Sequence, residues 1–259
     1  MNPRNFGDDW TTISGGTLYS RVWSPGTKAC PVVLLIPGMG LSGRYMVPLA
    51  EQLSPENRVH ALDLPGYGKS FKPPDVLDLT ETADALAEWM DAKNFTRADL
   101  IGHSFGSQIA VEFALRHAER ADRLVFLAPT VDPAARSLGK QLWRQVINST
   151  REPASLGWIV MGDYWAAGIR RIWATARIAL SDAVEVKLPY IQSPALLVRG
   201  EKDPVVPQGW AEKAAESMPH GELCVIRGAA HLLISSHPKE TAGVIRPFLS
   251  TSGRKADIP

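Results

Sequence analysis

Asp99-Leu100-Ile101-Gly102-His103-Ser104-Phe105-Gly106-Ser107 is the stretch that decides how the rest of the chain is read. An apolar pair, Leu100 and Ile101, runs into a glycine-flanked serine, and residues 108–117 then follow with amphipathic spacing. That order predicts strand, sharp turn and helix, with Ser104 at the apex of a G-x-S-x-G turn. The glycines are required sterically. The turn brings the helix start so close to neighbouring strands that a Cβ at Gly102 or Gly106 would collide. A serine held there stands clear of the sheet, at a helix N-terminus whose partial positive charge favours a developing anion. A pattern with three fixed positions also arises by chance, and many such serines only cap a helix. Partners elsewhere in the chain decide between the two.

On either side of this turn, buried strands alternate with helices. Val32–Ile36 is a continuous aliphatic run of the kind buried on both faces of a parallel sheet, and it stops at Pro37-Gly38-Met39-Gly40. Residues 58–62, 123–128, 194–199 and 222–227 repeat the strand signature, while 17–23 alternates like an exposed edge strand. Helical spacing appears at 42–53, 80–93 (with Thr80 as N-cap), 208–217 and 239–249. Regular alternation predicts an α/β fold, a mostly parallel central sheet flanked by helices. The tail from Ser250 to Pro259 is expected to be loosely held.

The alternation breaks once. From Asp132 to Leu188 no strand is predicted, but helices are, at 139–148, 156–167 and 169–180. The chain therefore divides into a core at 1–131, a helical cap at 132–190 and the remaining core at 191–259. Trp143, Trp158, Trp165 and Trp173 all fall in the cap. Each alone reads as a packing residue, but together some should line an apolar pocket over the sheet's C-terminal edge, and Trp143, Trp165 and Trp173 are the candidates. Cap cations such as Arg170 and Arg177 read as a solvated helix face, with a weaker suggestion of an anionic substrate.

The chain has 259 residues, of which 45% are hydrophobic and 21% charged, ordinary for a soluble globular protein. Lys+Arg 28 against Asp+Glu 27 leaves a net charge of +1, which gives no reason to expect nucleic acid or membrane as a partner. Residues 1–9 lack the apolar centre of a signal peptide, and the longest aliphatic run is far too short to cross a bilayer. Cys30 and Cys224 read as reduced packing residues, with no metal-ligand spacing around them. A cytoplasmic protein acting on a small molecule is the expectation.

A serine hydroxyl needs a base to take its proton, and that base needs a partner to fix its tautomer. Of six histidines, His103 adjoins the serine and His60 lies within a strand, so both read as structural, while His117, His220 and His237 sit in or beside helices. His231 differs: it follows the final strand in the small-residue loop Gly228-Ala229-Ala230-His231, at the edge where Ser104 emerges. For the orienting acid, Asp203 follows the penultimate strand at that edge. Asp132 is the rival and Glu201 the third choice. The order Ser104, Asp203, His231 is that of one hydrolase architecture.

Over nearly its full length the sequence resembles the α/β-hydrolase superfamily. The residues that carry the resemblance are Pro37-Gly38-Met39-Gly40, Asp63-Leu64-Pro65-Gly66-Tyr67-Gly68-Lys69-Ser70, Gly102-His103-Ser104-Phe105-Gly106, Gly200-x-x-Asp203-Pro204 and His231. The resemblance implies the α/β-hydrolase fold, Ser104 as nucleophile, His231 as general base and acid, and Asp203 as orienter. It also implies an oxyanion hole from the backbone N–H groups of Phe105 and Met39, with no metal or organic cofactor. One departure stands out: Pro37-Gly38 replaces the usual His-Gly, which removes a hydrogen-bonding side chain behind the loop. Serine rather than aspartate at the apex argues against dehalogenases and epoxide hydrolases of the family. The leading expectation is a carboxylic ester or lactone hydrolase for small to medium apolar substrates. The alternatives are a C–C bond hydrolase of a ring-cleavage dienoate, with Arg170 or Arg177 holding a carboxylate, and a slow-turnover ligand receptor on the same scaffold.

Overall fold

Four of the parallel strands at the centre of the fold are aliphatic enough to need cover on both sides, and they receive it. The computed structural model describes residues 5–26 and 30–250; residues 251–259 of the tail expected to be loose lie outside the described residues. The strands are β1 Gly7–Ile13, β2 Gly16–Trp23, β3 Val32–Ile36, β4 Arg58–Asp63, β5 Ala98–His103, β6 Ala121–Leu127, β7 Ala195–Gly200 and β8 Gly221–Ile226. The helices are α1 Val47–Leu53, α2 Leu79–Ala92, α3 Phe105–Arg116, α4 Leu138–Ser149, α5 Ala154–Ala167, α6 Ile169–Ser181, α7 Val184–Lys187, α8 Gln208–Ser217, α9 Leu233–Ser236 and α10 Pro238–Ser250.

The strands form one eight-stranded sheet in the order β1-β2-β4-β3-β5-β6-β7-β8. From β4 to β8 all pairings are parallel, whereas β1–β2 and β2–β4 are antiparallel. Val33, Leu34, Leu35 and Ile36 are fully buried. The chain goes from β3 to one neighbour, β4, and then returns to the other, β5. The C-terminal ends of β3 and β5 therefore flank a switch point, where open α/β sheets bind ligands.

Two details differ from expectation. The outer strand is β1, not 17–23, which pairs on both sides; the Gly-Asp-Asp start of β1 carries little strand propensity. Helix α2 is capped by Asp78, not Thr80: the Asp78 carboxylate accepts from Glu81 N–H while the Glu81 carboxylate accepts from Asp78 N–H, a capping box. Every element between β6 and β7 is helical, and that run reaches the loops at the C-terminal edge of the sheet.

Candidate active site

The turn after β5 places Ser104 with φ 54° and ψ −119°, a left-handed conformation that a side chain adopts only under constraint. Sterics impose the constraint from below. A Cβ on Gly106 would lie 2.2 Å from the Ile36 carbonyl oxygen, and one on Gly102 would lie 2.4 Å from that of Gly106. Hydrogen bonds hold it from the sides: Ser104 N–H donates to Leu127 O at 2.9 Å, and Ser107 Oγ donates to Gly102 O at 2.8 Å. Ser104 is then the N-cap of α3, with its hydroxyl at the positive end of the helix.

Two other loops bring partners to that hydroxyl. After β8, His231 presents Nε2 at 3.1 Å from Ser104 Oγ. After β7, Asp203 Oδ2 accepts from His231 Nδ1 at 2.8 Å, while its Oδ1 accepts from Val205 and Val206 N–H at 2.8 and 3.1 Å. With Nδ1 donating, Nε2 is the acceptor toward the serine. Asp203 and His231 are both buried. Burial alone would push the Asp203 carboxyl up, but the charge and hydrogen bond of His231 and the two N–H groups hold it below the usual carboxylate range. Burial likewise pulls the His231 imidazole down, yet the Asp203 carboxylate, with help from Glu152, raises it above its ordinary value.

The rival acid, Asp132, has another task. Its Oδ2 accepts from Arg144 Nη2 at 2.8 Å and its Oδ1 from Ala134 N–H at 2.9 Å. Glu201 accepts from Gly228 N–H at 2.8 Å. His60 and His103 are buried, neutral rings, each held at about 3, chiefly by burial.

His103 explains how the Pro37-Gly38 loop is held without the usual histidine. Its Nε2 donates to the His231 carbonyl at 3.0 Å, so Nδ1 accepts, from the Tyr45 hydroxyl at 2.8 Å. That hydroxyl in turn accepts from Gly38 N–H at 2.8 Å. Tyr45 thus ties the first loop to the histidine loop through one ring. Gly38 N–H is thereby engaged, whereas the N–H groups of Met39 and Phe105 make no hydrogen bond among the described residues.

The cap reaches the site along one face of α4 and the loop beyond it. Arg144 Nη1 donates to Val205 O at 3.2 Å and Arg151 Nη1 to Lys202 O at 2.6 Å, on either side of Asp203. Asn148 Oδ1 accepts from His231 N–H at 3.2 Å, and Glu152 Oε1 accepts from Leu232 N–H at 2.6 Å. Glu152 Oε2 is buried without a partner among the described residues, and burial raises its carboxyl above the usual range. These four residues, and Tyr45, were missed at the level of sequence. Their contacts join positions tens of residues apart, and no local pattern marks them.

The cap tryptophans are not packed into the core: Trp143, Trp165 and Trp173 are 65, 90 and 47% exposed. The cap side chains against the first loop are Tyr164 and Ile172, which a Cβ on Gly40 would meet at 2.8 and 2.4 Å. Asp163 anchors α5 there, accepting from Ser42 N–H at 2.9 Å, Ser42 Oγ at 2.8 Å and Arg44 Nη2 at 2.8 Å. Among the described residues no cluster of His, Cys, Asp or Glu is placed to hold a metal ion, and no helix is long and apolar enough to cross a membrane.

Comparison with known proteins agrees with this fold. The chain is 33% identical over 124 residues to "Abhydrolase domain-containing protein abhd-5.2" of Caenorhabditis elegans, a match spanning 46% of this chain and only 28% of that protein. It is 25% identical over 256 residues to "Poly(3-hydroxyalkanoate) depolymerase" of Ectopseudomonas oleovorans, covering 90% of this chain and 89% of the relative. The crystal structure of the enol-lactonase from Burkholderia xenovorans LB400 superposes with a TM-score of 0.80 at 20% identity, over 94% of this chain and all of that one (100%). Residues 33–244, which hold every strand from β4 to β8 and all three residues in contact at the sheet edge, match the alpha/beta hydrolase family, and the chain belongs to it.

Proposed function

We propose that this protein is a serine hydrolase that cleaves carboxylic esters or lactones of small to medium apolar substrates through an acyl-enzyme. The observation that carries the reading is the unbroken line of contacts from Ser104 Oγ through His231 to Asp203, at 3.1 and 2.8 Å. As Ser104 Oγ attacks the carbonyl carbon, His231 Nε2 takes its proton. Asp203 keeps the Nδ1–H tautomer and supports the imidazolium that forms. The proton then passes from Nε2 to the departing alkoxide, leaving the acyl group on Ser104. Water loses a proton to the same Nε2 as it attacks the acyl carbon, and that proton returns to Ser104 Oγ as the bond to the acyl group breaks and the acid leaves.

The tetrahedral oxyanion formed in each half falls to the uncommitted N–H groups of Phe105 and Met39, each contributing about 3 kcal/mol to lowering the barrier. Tyr164 and Ile172 wall the first loop on the cap side. The reading is supported by similarity to a depolymerase and an enol-lactonase. C–C bond hydrolysis lacks a supporting observation: Arg170 and Arg177 stand exposed on α6.

Turnover of short-chain p-nitrophenyl esters and a lactone panel tests the proposal. Ser104→Ala is expected to lose about 10⁴-fold or more in kcat/KM, and a fluorophosphonate to label Ser104 alone. Wild-type turnover by Ser104→Ala would overturn the assignment. A single slow turnover with retained product would favour the receptor.

A further inference from the structure

Eight of the twelve large apolar side chains that stand exposed among the described residues fall between Leu142 and Trp173, in the cap. The densest run is on α5 and the start of α6. Trp158 and Met161 are 81 and 63% exposed, Trp165 more so, and Ile169 and Trp173 follow across the Gly168 break. Spacing of three and four puts the α5 residues on one side of the helix. On the other side Leu156, Ile159, Val160 and Tyr164 pack against the core. Helix α5 is therefore apolar on both sides and covered on one. A helix apolar all round ordinarily lies inside a core or against lipid.

The charges around this face decide what fits it. Between residues 138 and 181 every exposed charged side chain is a cation: Lys140, Arg151, Arg170 and Arg177. The two carboxylates of that stretch are engaged elsewhere, Glu152 on Leu232 N–H and Asp163 on Ser42 and Arg44. A second copy of the chain, related by a two-fold axis, would bring these cations toward their own equivalents, and residues 138–181 offer no exposed carboxylate to meet them. An anionic lipid surface suits both features, since indole rings settle at headgroup depth and Lys and Arg meet the phosphates. The overall charge of +1 conceals this local excess.

We propose that the exposed face of α5, with the first turns of α6, docks this protein on the surface of an anionic phospholipid bilayer. The contact is peripheral and independent of the chemistry at Ser104. The test is co-sedimentation of the full chain with phosphatidylcholine vesicles, with and without about 30 mol% phosphatidylglycerol. Binding is expected to be about tenfold stronger to the anionic vesicles and to weaken in high salt. Trp158→Ser with Met161→Ser should lose most binding, whereas Arg170→Gln with Arg177→Gln should lose the preference for anionic lipid. Thermal unfolding of each variant checks that it folds, and the wild-type dependence on vesicle composition decides even if one does not. Failure of the wild type to sediment with anionic vesicles, or binding by both variants that matches the wild type, overturns the proposal. So does a self-association in sedimentation velocity that Trp158→Ser with Met161→Ser abolishes, because a second copy then covers the face.

Discussion

Residue by residue, the site is tuned by burial acting against specific partners. In the proposed reaction His231 must be neutral to accept the serine proton, and Asp203 raises its value above the ordinary one near 6.5. The acid limb of kcat/KM is therefore expected to lie above about pH 6.5, and Asp203→Asn to lower kcat by roughly 10⁴-fold. A limb below pH 6 in the wild-type profile would contradict this. Stability responds in the opposite sense for the two structural histidines. Each is held near 3 when folded and takes up a proton near 6.5 when unfolded, so their contribution is complete above about pH 6.5 and is lost as pH falls toward 3. His231, raised on folding, contributes below 6.5 and loses that as pH rises through its folded value. With two rings against one, the denaturant midpoint should fall between pH 7 and 4; a flat profile would refute the balance. Tyr45→Phe removes the hydroxyl that joins Gly38 to His103. It should cost about 1–3 kcal/mol and lower kcat more than it raises KM, read from urea unfolding and steady-state kinetics. The triad candidates were legible in the sequence because each ends a strand in a distinctive turn. Tyr45 was not, because nothing near it in sequence announces a partner 58 residues away.

At the level of elements, the legible parts are those whose side chains face one kind of surroundings along their whole length. Val32–Ile36 reads as a strand because all five residues are aliphatic, whereas Gly7–Ile13 escapes notice with two aspartates at its start. The cap helices were also legible as helices, but their outward and inward faces were not. In α5 both faces are apolar, so the pattern could not tell a pocket-lining tryptophan from an exposed one. The serine turn depends on backbone contact that cannot give way. Gly106→Ala should therefore cost about 3 kcal/mol or more and abolish turnover, visible as a lower Tm. The loop beyond α4 offers a finer test. Glu152→Gln keeps an acceptor for Leu232 N–H but removes a charge that faces His231, alongside Asp203 and the neutral His103. The acid limb of the pH profile should move down while Tm changes little. An unmoved limb would show that the imidazole does not feel that carboxylate.

Across the whole molecule, the sheet is expected to be the rigid part and the helical run between β6 and β7 the compliant one. The residues of β5 and β7 are buried without exception, while α5 has no buried residue. Amide hydrogen exchange should accordingly be slowest in β3, β5, β6 and β7 and fastest, among the longer helices, in α5. Equal protection in β5 and α5 would count against that division. The grip of Arg144, Asn148, Arg151 and Glu152 on the loops of Asp203 and His231 has a practical corollary. Exchanging residues 132–190 wholesale for those of a relative, to change what the proposed enzyme accepts, would strip the loops of His231 and Asp203 of these contacts. A chimera that keeps residues 138–153 and replaces only α5 to α7 should stay active where a complete swap fails.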